Sequence, residues 1–288
     1  DVLMVVLNAI GPWDLYFAYR LEGLRETLCD QLPVWVEAWY ELETLSAIAT
    51  FADLNPDYTF PELLPASTEP IFEGEQLGHP LIPDAQKVCN DFAINSLGEI
   101  TLITGSNMSG KSTFLRTLGV NLSLAYAGAP VNASNCRTIP FRLFTCINVS
   151  DSVHDGISYF YAEVRRLKAL LLSLRADHSL PLFFLIDEIF RGTNNRERLL
   201  GSRAYVRALA GQHGTGLIST HDLELVTLAD EMPTLHNYHF REEVEGGRMV
   251  FDYCLHPGPC PTTNALKIMK LEGLPINFAD RTADTPGS

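Results

Sequence analysis

An α/β fold, a sheet flanked by helices with a small helical segment before it, is predicted by three features of the sequence. Short apolar runs alternate with helical patterns from residue 99 onward. A glycine-rich loop, "GSNMSGKS", lies between one such run and a helix. Residues 1–55 carry apolar positions at helical spacing and no strand-like run.

Taken in order, the elements justify that outline. The stretch 2–18 is apolar but interrupted by Asn8, Gly11-Pro12 and Asp14. It falls short of a membrane span and predicts a buried helix pair. In "LPVWVEAWYELETLSAIATFADL", Val36, Trp39, Tyr40, Leu42, Leu45, Ile48 and Ala49 share a broad apolar helical face, with Pro33 near the start. Residues 55–84 are rich in proline and glycine and predict a linker or irregular lead-in. Strands are predicted over 99–104, 142–148, 182–186, 215–219, 235–240 and 249–255. Helices are predicted from about Lys111 and over 159–176, 196–211, 221–230 and 262–271. The domain limits expected are 1–66 for a helical segment and 67–280 for an α/β domain.

Composition narrows the function. The chain of 288 residues is 46% hydrophobic and 19% charged, a globular balance able to bury a large core unaided. Its six cysteines are scattered with no CxxC pair, which predicts reduced thiols in the cytoplasm rather than structural zinc. Its net charge of −14 sets 35 acids against 21 Lys and Arg, the opposite of a DNA-gripping face. No secretory cleavage pattern is visible, and a start at Asp1 is expected of a fragment or processed form.

The loop comprises Gly105, Ser106, Asn107, Met108, Ser109, Gly110, Lys111 and Ser112, followed by Thr113. It fits G-x-x-x-x-G-K-[ST] at every fixed position between a predicted strand and helix. Glycines let the backbone wrap so that amide N–H groups face phosphates at a helix N-terminus. Lys111 would reach the β- and γ-phosphates of ATP and Ser112 would ligate Mg²⁺. The apolar run "LFFLI" delivers Asp187 and Glu188 at a strand end. Asp187 would hold the magnesium directly or through water, and Glu188 would orient and deprotonate the attacking water. His221, after "TGLIST", sits at another strand end, where it can bond the γ-phosphate or the water.

Together, "GSNMSGKST", "IDEIFRGT", "STHD" and "HPGPCPTTNALKIMKLEGLP", in that order, resemble the ATPase domain of the MutS family of DNA mismatch-repair proteins. "LGHPLI", "VCND", "NLSLAYAGAPV" and "INVSDSVHDGISYFYAE" resemble further segments, so the resemblance covers about residues 69–275. It implies a P-loop NTPase of ABC-ATPase type, with a homodimer closing composite sites. Ser158 would then reach the partner's γ-phosphate, or equally serve as a helix N-cap. By the same resemblance Val88, Asn90 and Tyr253 lie near the adenine, with Tyr253 able to stack on it. The helices of residues 1–55 resemble the end of the family's lever region.

Two departures stand out. Phe190 occupies a position where the family often has glycine, and Arg196, Glu197 and Arg198 replace its usual approach to an Asp-Gly pair. Nothing resembles the mismatch-reading domain or the DNA clamp. Function is therefore expected to be ATP hydrolysis within a MutS-like DNA-processing protein, with DNA held through regions mostly outside this chain and only weakly by the chain itself. An ABC- or SMC-type ATPase is the alternative within the same enzyme class, though "DGISYFYAE" is no LSGGQ-like signature. A nucleotide-switched scaffold or membrane-adjacent regulator is the alternative outside it.

Overall fold

The computed structural model describes residues 2–66, 68–147, 159–190, 194–245 and 248–260. The chain divides into two units, Asp1–Pro56 and Asp57–Ser288.

The first unit is two helices, α1 (Val2–Ile10) and α2 (Trp13–Leu54). Gly11 and Pro12 part them, and Asn8 Oδ1 accepts the Asp14 N–H at 3.0 Å to cap the new helix. The helices are as predicted, but their burial is not. No residue of α2 is buried, and Trp39, Tyr40, Leu42 and Leu45 are all exposed. Nor do its apolar residues gather on the one broad face expected of them: they are spread around the helix. Pro33 also lies well inside α2, not near a start, and leaves the Cys29 carbonyl without its usual N–H. No described helix is long and apolar enough to cross a membrane.

The second unit opens with β1 (Glu62–Leu63), β2 (Phe72–Leu77), β3 (Asn90–Ile94) and β4 (Ile100–Thr104), then α3 (Lys111–Tyr126). Next come β5 (Asn135–Thr138), β6 (Arg142–Cys146), α4 (Tyr159–Arg175), β7 (Leu182–Asp187), α5 (Asn195–Leu209) and β8 (Gly214–Ser219). The last elements are a 3₁₀ turn (Leu225–Thr227), α6 (Leu228–Glu231), β9 (Leu235–His239), β10 (Glu242–Glu245), β11 (Arg248–Phe251) and β12 (His256–Pro257).

Six strands form the central sheet in the order β12-β9-β4-β8-β7-β6, all parallel except β12. Both faces are covered, which is why its strands read as unbroken apolar runs. Ile103, Leu185 and Leu217 point to one face, packed with Leu115, Leu118 and Leu122 of α3. Leu102, Phe184, Ile186 and Ile218 point to the other, against Leu170 of α4 and Val206 and Leu209 of α5. A second sheet, β1-β5-β2-β3, adds Phe72, Leu77, Phe92 and Ile94 to the α3 side. Burial pushes the Cys136 and Cys146 thiols up to about 11, so both are protonated core groups.

Three further sequence expectations need correction. The lead-in at 55–84 is no simple linker, because it contributes β1 and β2. The helix expected over 221–230 starts only as the 3₁₀ turn at Leu225, since Asp222 and Thr220 first form a side-chain-stabilised turn. The strand expected over 249–255 stops at Phe251, where Tyr253 takes a left-handed φ of 54°. The helix expected over 262–271 lies outside the described residues.

Candidate functional site

Parallel strands put their C-terminal ends on one sheet edge, and adjacent β4, β8 and β7 deliver most of the predicted residues there. The loop after β4 runs straight into α3, with Gly110 as its N-cap at φ 112°. That left-handed backbone, and φ 143° at Gly105, is what the two motif glycines allow. At Gly105 a Cβ would also meet the Phe240 carbonyl at 2.7 Å. Met108 takes φ 70° and is exposed.

Lys111 is buried, and its Nζ donates to the Gly105 and Ser106 carbonyls at 2.7 Å each. The hydroxyls of Ser106 and Ser109 are buried without a hydrogen-bond partner among the described residues. Such groups are costly unless a ligand satisfies them. A loop with orphaned hydroxyls at a helix N-terminus fits a phosphate chain.

Asp187, the last residue of β7, is buried beside Ser112 and Ser219. Ser112 Oγ donates to Asp187 Oδ1 at 2.9 Å and Ser219 Oγ donates to the same oxygen at 2.6 Å. These are hard oxygen donors of the kind Mg²⁺ takes when it keeps nucleotide oxygens and water as its other ligands. Among the described residues no cluster of three or more His, Cys, Asp or Glu could hold a metal by itself. Ser112 and Asp187 thus fit a cation that arrives with a nucleotide.

Glu188 follows with a left-handed φ of 64°, and its N–H donates to the Ser219 carbonyl at 3.0 Å. A non-glycine residue there stores roughly 1–3 kcal/mol of strain, a feature that clusters at functional turns. His221 Nδ1 lies 3.3 Å from Glu188 Oε1. Glu188 and His221 share an open cleft of about 320 Å³ with Asn107 and Arg198.

On the other side of the loop a cavity of about 430 Å³ is lined by Val88, Asn90 and Tyr253 together with Gly110, Thr113 and Phe240. A Cβ on Gly110 would meet the Tyr253 ring at 3.3 Å, so that ring lies directly over the loop. Both ends of the Asn90 amide are engaged: Nδ2 donates to the Tyr253 carbonyl at 3.1 Å, and Oδ1 accepts the Leu255 N–H at 2.6 Å. Asn90 therefore holds Tyr253 in place. Asp252 fixes the same turn through Arg241 at 3.0 Å and His256 at 2.8 Å. Burial alone would raise its pKa, but the bonds from His256, the Cys254 N–H and Arg241 outweigh it and hold the carboxyl below the ordinary value. His79, in the "LGHPLI" segment, is held below the ordinary histidine value by burial and then by the Arg116 charge.

Ser158 lies outside the described residues. Sequence reasoning passed over Ser219 and gave Arg198 no part in the site. Ser219 had a visible signal, a hydroxyl at a strand end next to the strand of Asp187. Arg198 had none, because its place in the cleft depends on how α5 is packed.

A family model described as MutS domain V matches residues 101–285. The DNA mismatch repair protein MutS of Exiguobacterium sp. strain AT1b is 31% identical over 275 residues, covering 93% of this chain and 31% of that protein. The chain thus spans only about a third of the length of the curated relative it matches.

Proposed function

This chain belongs to the MutS family, and from that premise we propose that residues 67–280 are a P-loop ATPase domain of ABC type. Its activity is slow hydrolysis of ATP to ADP and phosphate with Mg²⁺. The observation that carries this reading is the convergence of Lys111, Ser112, Asp187, Glu188 and His221 at the ends of three adjacent parallel strands.

The residues divide the work. The adenine enters the cavity under Tyr253, whose ring offers a stacking face. The loop's amides and Ser106 and Ser109 hydroxyls cradle the phosphates, and Lys111 brings a positive charge to the β and γ groups. Ser112 and Asp187 hold the Mg²⁺, which when bound neutralises charge developing on the β- and γ-oxygens. Glu188 takes a proton from a water whose oxygen attacks the γ-phosphorus. The bond to the β–γ bridging oxygen breaks, and its electron pair leaves on ADP. His221, 3.3 Å from Glu188, orients that carboxylate and bonds the water or the γ-phosphate. We further propose that a second copy completes each site through Ser158. The mismatch-repair activity named for the relative belongs to the longer protein, in which this chain would supply the nucleotide-driven part.

Glu188→Gln tests the reading. It keeps the cradle and removes the base, so nucleotide affinity should stay within about threefold while turnover falls by about 10²-fold or more. Turnover equal to the parent's would reject Glu188 as the base.

A further inference from the structure

Arg198 shares the cleft of Asn107, Glu188 and His221, about 320 Å³ in volume, yet the scheme above leaves it idle. Its Nε is buried and has no hydrogen-bond partner among the described residues. A guanidinium cannot shed its charge, so an orphaned donor of this kind is costly until an acceptor arrives. The cleft's residues offer one acid, one amide, one imidazole and this cation. In a chain of net charge −14, a polyanionic nucleotide approaching Glu188 needs local positive charge to offset repulsion.

The backbone beneath Arg198 is firmly placed. It lies in the first turn of α5, where its N–H donates to the Asn194 carbonyl at 2.9 Å and Asn194 Oδ1 accepts the Glu197 N–H at 2.9 Å. Farther along α5, Tyr205 donates to the Leu167 carbonyl at 2.8 Å, and Val206 and Leu209 are buried in the core. Helix α5 is therefore a rigid mount that aims its first turn at the edge where Glu188 emerges.

We propose that Arg198 is a second cation of the nucleotide site besides Lys111, donating to the terminal phosphate of ATP. This rests on the ATPase reading. It adds that discrimination between triphosphate and diphosphate is set partly by a residue of the same chain on α5. The guanidinium fork suits a phosphoryl group because two of its N–H donors can meet two oxygens at once. Charge that builds on those oxygens as the bond to ADP breaks would be met by a group already in place.

The test uses the 288-residue chain and its Arg198→Ala and Arg198→Lys variants. Affinities for ADP and for the β,γ-imido analogue of ATP, each with Mg²⁺, are measured by calorimetry, alongside single-turnover hydrolysis and melting temperature. Arg198→Ala should weaken analogue binding by about tenfold or more and leave ADP binding within about twofold. Hydrolysis should slow by about a hundredfold or more. Arg198→Lys should restore part of the analogue affinity, because it keeps a positive charge on a long stem. That second variant also carries the comparison if alanine lowers the melting temperature. An alanine variant that keeps the triphosphate preference, or loses both nucleotides equally, would overturn the role of Arg198 alone. A parent chain that binds neither nucleotide would overturn the ATPase reading beneath it.

Discussion

Phe190 sits two residues beyond Glu188 with φ 57°, a conformation in which a Cβ costs about 1 kcal/mol or more. What holds it there is visible. Its N–H donates to the buried Glu163 Oε1 at 2.6 Å, and its ring lies 6.4 Å from that of Phe160 and 6.2 Å from that of Tyr205. Gly201 leaves room for the ring, since a Cβ there would stand 3.1 Å from it. This explains how a phenylalanine occupies a place where glycine would be easier: packing offsets backbone strain. It also separates two substitutions that usually rank the other way. Phe190→Ala and Phe190→Gly both lose the ring, but alanine keeps the strained Cβ. We expect the glycine variant to be the more stable by about 1 kcal/mol in urea unfolding, with both below the parent. An alanine variant equal to or above the glycine one would show that residue 190 carries no backbone strain.

At the scale of elements, β8 decides whether the site can assemble, because it separates the strands that carry the loop and Asp187. Its close fit depends on Gly216, where a Cβ would lie 2.1 Å from the Phe184 carbonyl oxygen on β7. That obstacle is backbone and cannot turn aside. Gly216→Ala should therefore cost about 3 kcal/mol or more, at the upper end of overpacking effects, and lower the melting temperature by several degrees. An unchanged melting temperature would mean that β7 and β8 are more loosely joined than the register indicates. The same sheet shows what a sequence can reveal. The parallel strands were legible because burial on both faces makes continuous apolar runs such as "LFFLI". The strands β2, β3 and β5 were not. β2 carries a bulge between Gly74 and Leu77 with Gln76 at φ 51°, which breaks the alternation, and proline and glycine crowd its approach. The site divides in a similar way. The loop and the Asp187-Glu188 pair are contiguous in sequence and announce themselves. The cleft with Arg198 and the engagement of Asn90 by residues 253–255 arise only when distant segments meet.

For the whole molecule, charge argues about partners more directly than family membership does. Duplex DNA is gripped chiefly by neutralising phosphates, and a protein with 35 acids and 21 Lys and Arg presents an adverse long-range field. Several of the basic groups are already committed to acids of the same chain. Arg137 pairs with Glu62 and Glu73, Arg203 and Arg207 both pair with Glu231, and Arg241 pairs with Asp252. Mismatch readers that unstack a base step insert an apolar wedge beside basic residues. The exposed aromatics of α2, Trp35, Trp39 and Tyr40, instead stand among Glu37, Glu41 and Glu43. The chain matches 31% of the mismatch-repair relative, so DNA contact in that relative is free to lie in segments with no counterpart here. We therefore expect this chain to bind DNA no more tightly than about 1 µM, the stronger end of non-specific affinity. The measurement is a titration of labelled matched and mismatched duplexes at about 0.1 M salt, where the screening length is about 10 Å. The two curves should coincide, and both should weaken further as salt rises. Sub-micromolar affinity with a preference for the mismatch would mean that a local surface overrides the net charge, and that nucleotide handling and DNA reading share this one chain.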